Sequence, residues 1–225
     1  MISTAGFDLS QTDRLLTTTR SVRKRLDLTR PVKRELILEC LRIAVQAPSG
    51  GNSQPWRWLV IDDPDMRADL ARLYRKSHDP YIESQRQAAA RAGRAQATQR
   101  VLASSQHLAD HLEQVPVLVI PCLLARLPEN GTAADAAGLY GSILPAAWSF
   151  MLALRTRGLG AAWTTLHLAY EQEVADLLGI PPTVTQVAMI PVAYYTGDDF
   201  KPAQRRPVED VTYWNGWRRR AAAGG

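Results

Sequence analysis

The segment from Asp135 to Gly158, DAAGLYGSILPAAWSFMLALRTRG, constrains the fold of this chain more than any other part. Most of its residues are apolar or small, whichever side of a helix they occupy. A helix of this kind has to be buried on most sides, either at the centre of the domain or against a second copy of the chain. We therefore expect a central helix, with Pro145 inside it, around which the other elements pack.

Helical and strand patterns alternate on both sides of this segment. Helical spacing of apolar residues occurs at 31–47, 63–77 and 170–180, and strand patterns occur at 56–62, 116–124, 158–168 and 183–197. This alternation predicts an α/β or α+β domain. Because 46% of the 225 residues are hydrophobic and no repeat is apparent, we expect one domain over residues 1–225, with 221–225 as a flexible tail.

Two helical regions carry further expectations. The first, at 31–47, has Pro31 at a position favoured in the first turn of a helix, and it ends where Pro48 prevents its continuation. The second, at 83–113, is long and polar on most sides, which predicts one exposed helix, or two interrupted near Gly93. Substrate specificity is expected from the polar helical region around Lys76 to Gln106 and from the surroundings of Trp163.

Charge and composition narrow the class of protein. The net charge is +5, but the basic residues are scattered among acids, which favours solvated arginines over a nucleic-acid surface. No signal peptide is apparent, and the apolar stretch 115–127 is shorter than a membrane span. The two cysteines, Cys40 and Cys122, lie in apolar contexts, as expected of reduced core cysteines in a cytoplasmic protein.

The stretch Ala47 to Trp58, APSGGNSQPWRW, is the most specific local feature. Its prolines, glycines, serines and amides each favour turns, and together they indicate a backbone shaped around a ligand. The stretch offers backbone N–H groups and the Asn52 amide, which suit the polar edge of a planar heterocycle. It lacks the spacing of nucleotide-phosphate loops, and a purely structural helix-to-strand turn remains the alternative.

Two arginine clusters lie near opposite ends of the chain. RSVRKR occupies 20–25 and QRRP occupies 204–207. Each is a weak signal alone, because such clusters are usually solvated. Arginine is well suited to bind phosphate, however, so the two clusters could meet in the fold and bind one dianion.

Other catalytic or metal-binding patterns are weaker still. His107 and His111 have i,i+4 spacing, but no glutamate completes an HExxH motif and no third ligand is evident. We therefore predict no metal site, and the sequence singles out no catalytic acid, base or nucleophile.

Taken in chain order, four features resemble the nitroreductase family of FMN-dependent oxidoreductases. They are RSVR at 20–23, PSGGNSQPW at 48–56, the apolar helix ending in GLG at 158–160, and RRPVEDV at 205–211. The resemblance implies an α+β fold with a central mixed, mainly antiparallel sheet surrounded by helices. It also implies an intertwined homodimer with two FMN molecules at the subunit interface. Gly141-Ser142 is a departure, since the family often has Gln-Asn there.

The resemblance also implies a set of flavin contacts. The phosphate and ring-edge contacts look like Arg20, Ser21 and Arg23, with Arg205 or Arg206 as the C-terminal phosphate partner. The segment lying against the isoalloxazine, partly from the other subunit, looks like Pro48, Ser49, Gly50 and Asn52. The backbone close to the flavin N5 looks like Thr164, Thr165 and Leu166.

A flavoenzyme of this family is expected to take hydride from NAD(P)H and pass it to a small aromatic acceptor, such as a nitroarene or quinone, by a ping-pong mechanism. Within the same fold, the alternatives are an enzyme resembling a flavin destructase or a reductive dehalogenase. From a different class, a basic module that binds a polyanion remains a less favoured alternative.

Overall fold

The computed structural model describes residues 6–219, apart from the side chains of Ala95 and Ala97. The described residues belong to two compact units, one of residues 19–198 and one of residues 6–18 with 199–219. The assignment of residues 1–225 to a single domain stays a prediction. The tail predicted at 221–225 lies outside the described residues.

A five-stranded sheet organises the larger unit. Its strands are β1 (Trp56–Ile61), β2 (Val117–Leu123), β3 (Leu159–Ala161), β4 (Thr185–Gln186) and β5 (Ile190–Tyr194). The order is β1-β2-β5-β3, with β4 also paired to β2, and every described strand pair is antiparallel. β2 lies between β1 and β5, and all seven of its residues, VLVIPCL, are buried. The predicted α+β class, with a mainly antiparallel sheet among helices, is confirmed.

Six α-helices accompany the sheet in this unit. They are α2 (Arg34–Ala44), α3 (Pro64–Arg91), α4 (Ala95–His111), α5 (Ala133–Gly141), α6 (Leu144–Arg155) and α7 (Glu171–Leu178). The main core lies where α2 and α6 pack on each other and on the sheet; Phe150 of α6 and Cys40 of α2 are fully buried there. The predicted interruption near Gly93 is confirmed, because α3 ends at Arg91 and α4 begins at Ala95.

The helix predicted at 31–47 is shorter than its pattern. It begins at Arg34, so the expectation that Pro31 lies in its first turn is wrong. The Asp27 carboxylate accepts hydrogen bonds from the backbone of Thr29 and Arg30, which holds the preceding chain in a turn. Val32 is buried in the main core, and Lys33 is extended (φ −70°, ψ 139°), so regular helix starts only after them.

The central apolar helix is divided in two. α5 ends at Gly141 and α6 begins at Leu144, with Pro145 in its first turn rather than in a helix interior. Two predicted strands are also shorter than expected. Residues 158–168 give β3, an isolated bridge at Thr164 and a 3-10 helix (Leu166–Tyr170), while 183–197 give β4 and β5 separated by three residues.

The α5–α6 region, Ala133–Arg155, has the length and the mean hydropathy (1.4) of a membrane-spanning helix. In the structure, 44% of its most apolar window is buried against other parts of the chain. Because the buried core helix of a non-membrane protein meets the same criteria, this region is weak evidence for a membrane span.

The smaller unit contains α1 (Leu9–Thr18) and a 3-10 helix (Val208–Val211). Arg14 of α1 forms an ion pair with Asp199 at 2.5 Å, which joins the two chain ends within this unit. Tyr213 and Trp217 pack edge to face, with ring centroids 5.0 Å apart.

Candidate cofactor-binding site

The segment that contains Arg20, Ser21 and Arg23 lies along the edge strand β3. The Val22 N–H donates to the Ala161 carbonyl at 2.8 Å, and Leu26 forms an isolated bridge with Tyr195. A Cβ at Gly160 would come within 2.9 Å of the Val22 Cβ, so glycine allows the segment to approach β3 this closely. Arg20 and Ser21 are exposed on it, whereas Arg23 is half-buried.

The Arg23 guanidinium has no carboxylate partner among the described residues. Burial lowers the pKa of Arg23, and the nearby Tyr74 and Tyr81 of α3 partly oppose that effect. A half-buried cation without a counterion is costly, because removal from water is not compensated by an opposite charge. This position therefore favours an anionic ligand.

Thr164 lies beside the same tyrosine as Arg23. Its backbone N–H and carbonyl pair with Met189, and its Oγ1 donates to the Met189 carbonyl at 2.8 Å. Burial raises the pKa of Tyr74 to about 12, and the nearby Arg23 guanidinium and Thr164 side chain partly oppose that effect. The structure therefore brings Arg23 and Thr164 together through Tyr74, which is almost fully buried.

The next residues connect this cluster to α3. Thr165 is exposed, and Leu166 begins the 3-10 helix, where its carbonyl accepts a hydrogen bond from the Ser77 hydroxyl at 2.6 Å. His167 is fully buried, and neither of its ring nitrogens has a partner in the described part of the chain. Burial lowers the pKa of His167 to about 4, so the imidazole is neutral near pH 7.

The turn at Pro48–Asn52 obtains its shape from left-handed backbone. Gly51 (φ 57°), Asn52 (φ 53°) and Gln54 (φ 48°) are all in the left-handed region. Glycine and asparagine tolerate this conformation, whereas it is uncommon for glutamine. Gln54 is held there by two hydrogen bonds, one from its N–H to Ser49 Oγ at 3.1 Å and one from its side-chain amide to Asn52 Oδ1 at 3.1 Å.

Most N–H groups of this turn already donate within the chain. The Asn52 N–H donates to the Ser49 carbonyl, the Ser53 N–H to the Gly50 carbonyl, and the Gly50 N–H to Ser142 Oγ at 3.0 Å. Within residues 50–54, the described structure gives only the Gly51 N–H no acceptor. A Cβ at Gly51 would meet nothing within 4 Å, so this glycine faces open space. The expectation of several available N–H groups therefore narrows to Gly51 and the Asn52 side chain.

The two groups of predicted contacts lie at opposite edges of the sheet. Residues 48–52 lead directly into β1, whereas residues 20–23 line β3. Three strand spacings, about 14 Å, separate these edges. Arg205 and Arg206 belong to the smaller unit, where both are exposed. Their meeting with Arg20 and Arg23 around one phosphate stays a prediction.

Three residues in or beside these groups were not among the predicted contacts. Tyr74 had only an apolar helical pattern to mark it, and it is buried in the structure. Ser142 was visible only as a departure from a familiar dipeptide. His167 had no signal beyond its place two residues after Thr165.

The rings of His107 and His111 are in contact but tilted by 32°, with centroids 4.3 Å apart, and His111 Nδ1 lies 2.8 Å from the His107 carbonyl. Across residues 6–219 the structure contains no group of three or more potential metal ligands. Cys40 and Cys122 are free and buried, and burial raises the pKa of both thiols, to about 11 and about 12.

Comparisons with known proteins agree with this architecture. The sequence model of the nitroreductase family matches residues 16–194. The chain is 26% identical to the iodotyrosine deiodinase of Thermotoga neapolitana, over 86% of this chain and 93% of that protein. It is 27% identical to mouse iodotyrosine deiodinase 1, of which it spans 61%.

Two further comparisons concern flavoproteins and nitroreductases. A putative NADH dehydrogenase/NAD(P)H nitroreductase of Archaeoglobus fulgidus is 24% identical, over 91% of this chain and 97% of that protein. A crystal structure of oxidized iodotyrosine deiodinase bound to FMN and 3-iodo-L-tyrosine superimposes with a TM-score of 0.68 at 24% identity, covering 90% of this chain and 98% of that one.

Proposed function

The chain belongs to the nitroreductase family, and from this premise we propose that it is an FMN-dependent oxidoreductase that takes hydride from NAD(P)H and reduces small nitroaromatics, quinones or similar acceptors. The observation that carries the proposal is the half-buried Arg23 guanidinium. It has no acidic partner in the described chain and lies beside Tyr74, which the Thr164 side chain also adjoins.

The described residues fit FMN in charge and in shape. Its phosphate and the polar edge of its ring are the kind of anionic or acceptor groups that Arg20, Ser21 and Arg23 can bind. Gly51 leaves space for a flat ring to approach the backbone, with its N–H available as a donor. Arg205 or Arg206 is proposed as a further phosphate contact.

When bound, FMN supplies the redox chemistry, which amino-acid side chains lack. The chain's own contribution is binding and electrostatics. Arg23, partly removed from water, stabilises negative charge on the group that it faces more strongly than a fully solvated arginine can. Thr164, fixed by three hydrogen bonds to Met189, holds its backbone in one place. The donor and the acceptor are proposed to use one open face of the bound flavin in turn, which predicts ping-pong kinetics.

An absorbance spectrum of the purified protein is the first test, with a flavin band expected. The second is steady-state oxidation of NADH and NADPH with a nitroarene or a quinone, in which parallel double-reciprocal plots are expected. Protein that is colourless and does not bind added FMN contradicts the proposal.

We further propose that the protein is a homodimer in which each FMN contacts both chains. Support comes from the separation of the two contact groups at opposite sheet edges. It also comes from an apolar surface on α2 and α6, which pack on each other and expose Leu38, Ile43, Leu144 and Trp148. Exposed apolar side chains on packed helices are often found at subunit interfaces.

Mixed dimers test the sharing of sites. One chain carries Arg20→Ala with Arg23→Ala, the other carries Gly51→Val with Asn52→Ala, and different affinity tags allow the heterodimer to be isolated. If the sites are shared, one site of the heterodimer receives both defects and the other receives none. The heterodimer should then bind FMN at half the wild-type occupancy, while each mutant homodimer binds little. A heterodimer with no recovered occupancy contradicts shared sites.

Reductive dehalogenation of an aromatic substrate is the second candidate. It is favoured by the iodotyrosine deiodinases among the relatives, one of which matches over 93% of its length. Release of iodide from an iodophenol under reducing conditions, without acceptor-dependent NAD(P)H oxidation, would favour this candidate over the reductase. A cytoplasmic location is also proposed, because Cys40 and Cys122 are unpaired.

A further inference from the structure

Ser142 lies at the junction between α5 and α6 and links it to the Pro48–Asn52 turn. Its hydroxyl accepts the Gly50 N–H at 3.0 Å and donates to the Gly138 carbonyl of α5 at 2.8 Å. The side chain is 5% exposed, although it belongs to a junction between two helices. Both of its hydrogen-bonding functions are therefore used by the chain itself, with little competition from water.

This contact is specific in shape as well as in polarity. A Cβ at Gly50 would lie 3.2 Å from Ser142 Oγ, which is tighter than ordinary van der Waals contact. Glycine at position 50 and serine at position 142 therefore match each other across 92 residues of sequence. A longer side chain at position 142 would require a different arrangement of the turn.

The contact also determines which donors of the turn are available. With the Gly50 N–H held by Ser142, and those of Asn52, Ser53 and Gln54 held within the turn, Gly51 is left as the available N–H of residues 50–54. If the Gly50 contact is lost, the 3-10 turn can rotate, and neither Gly51 nor Asn52 keeps a fixed direction.

We propose that Ser142 is a positioning residue for the flavin, which fixes the Pro48–Asn52 turn through Gly50 so that Gly51 and Asn52 meet the cofactor. This inference rests on the proposed function, since it concerns the same site. Ser142 does not touch the cofactor, and it acts through the backbone of Gly50.

The first experiment compares FMN affinity, measured by quenching of flavin fluorescence, in the wild type and in Ser142→Ala. Loss of one hydrogen bond at the turn is expected to weaken FMN binding about tenfold. The visible circular dichroism of bound FMN should also change, because it reports the surroundings of the ring. Ser142→Thr keeps the hydroxyl and should restore both the affinity and the spectrum.

Thr132→Ala is the matched control. Thr132 caps the N-terminus of the same helix, α5, in a capping box with Asp135. Its loss destabilises α5 without touching the turn. Thr132→Ala should lower the thermal midpoint and leave FMN affinity within twofold of the wild type.

A double-mutant cycle keeps the proposal testable if the threonine variant folds poorly. Gly50→Ala alone should weaken FMN binding several-fold, because its Cβ presses on the serine hydroxyl. Ser142→Ala removes the hydroxyl that this Cβ would press on, so the double variant should bind FMN no more weakly than Ser142→Ala alone.

The outcomes separate this proposal from the proposed function. Wild-type protein that does not bind FMN contradicts the proposed function. Wild-type protein that binds FMN, with a Ser142→Ala variant of equal affinity and unchanged visible spectrum, overturns the role of Ser142 alone. Equal loss of affinity in Ser142→Ala and Thr132→Ala, or strict additivity in the cycle, also overturns it, because the serine would then act only on stability.

Discussion

The Pro48–Asn52 turn and the Arg20–Arg23 segment are both assigned to one cofactor, yet they rest on different physical properties. The turn is largely exposed, contains no titratable side chain, and is defined by left-handed backbone and internal hydrogen bonds. The arginine segment is bonded to β3 through the Val22 N–H and carries a half-buried charge at Arg23. Substitutions that alter shape should therefore affect the first region, and changes of charge should affect the second.

The largest effect is expected from Arg20→Ala combined with Arg23→Ala. A hydrogen bond to a charged group contributes about 1.5–3 kcal/mol, so the loss of two cations should weaken FMN binding about a thousandfold. Titration of flavin fluorescence measures the affinity, and far-ultraviolet circular dichroism checks the fold.

The control for this variant is Arg72→Ala. Arg72 forms an exposed i,i+3 ion pair with Asp69 on α3 at 3.0 Å, and such pairs contribute little. FMN affinity should be unchanged in the control. If the double variant binds FMN as tightly as the control does, the assignment of charge to this region is wrong.

Acid should destabilise the region around Arg23 and Thr164 more than the Pro48–Asn52 turn, because the buried His167 follows Thr164 in the chain and the turn has no titratable side chain. The pKa of its folded-state imidazole is about 4, and the ordinary value is about 6.5. The unfolded chain therefore binds a proton first as the pH falls. The free energy of unfolding should be fully maintained above pH 6.5 and should fall by about 3 kcal/mol between pH 6.5 and 4.

His167→Phe isolates this contribution, because it removes the titrating ring while keeping an aromatic side chain. Urea unfolding at pH 7, 5.5 and 4.5 measures the difference between the two chains. The variant should lose less stability on acidification than the wild type. Parallel losses in both proteins would show that His167 does not titrate as its burial predicts.

Much of the fold was predictable because the relevant signals are local. β1 follows from an alternating β-rich pattern and β2 from a short apolar run. α7 ends at Leu178, just before Gly179, which takes the left-handed conformation (φ 65°) that glycine permits. The break between α5 and α6 was not predicted. Pro145 is compatible both with a kink inside a helix and with a first turn, and the local pattern does not distinguish the two.

The sequence indicated which residues to expect at the candidate site, but not which of them contact each other. Arg23 and the turn were identified from composition and resemblance. The Ser142–Gly50 hydrogen bond joins residues 92 positions apart, and the Tyr74–Thr164 contact joins a helix to the end of a strand. Such pairs depend on how the elements pack, so apolar periodicity marks Tyr74 as buried without naming its partner.

Gly51→Ala addresses the shape of the turn. The left-handed region costs an L-residue about 1–2 kcal/mol, and a Cβ at this position meets nothing within 4 Å. The free energy of unfolding should therefore fall by about that amount through backbone strain alone. Gly138→Ala is the matched control, because its Cβ also meets nothing within 4 Å but it lies in α5 without a positive φ, where alanine should stabilise the helix by about 0.5–1 kcal/mol. Equal effects of the two variants would contradict the strain argument.

The smallest effect is expected from Tyr74→Phe, which removes only the buried hydroxyl beside Thr164. Thr164 keeps its three hydrogen bonds to Met189, so the strand end stays in place and the free energy of unfolding should fall by about 1 kcal/mol. Tyr81→Phe is the control, because Tyr81 is 44% exposed and its hydroxyl can be solvated. Urea unfolding of both variants, each repeated in the Arg23→Ala background, gives the coupling between Tyr74 and Arg23. The contrary result is that Tyr74→Phe lowers the free energy of unfolding no more than Tyr81→Phe does, with no coupling to Arg23. That result would show that Arg23 and Thr164 are held independently, as two separate contacts rather than one cluster.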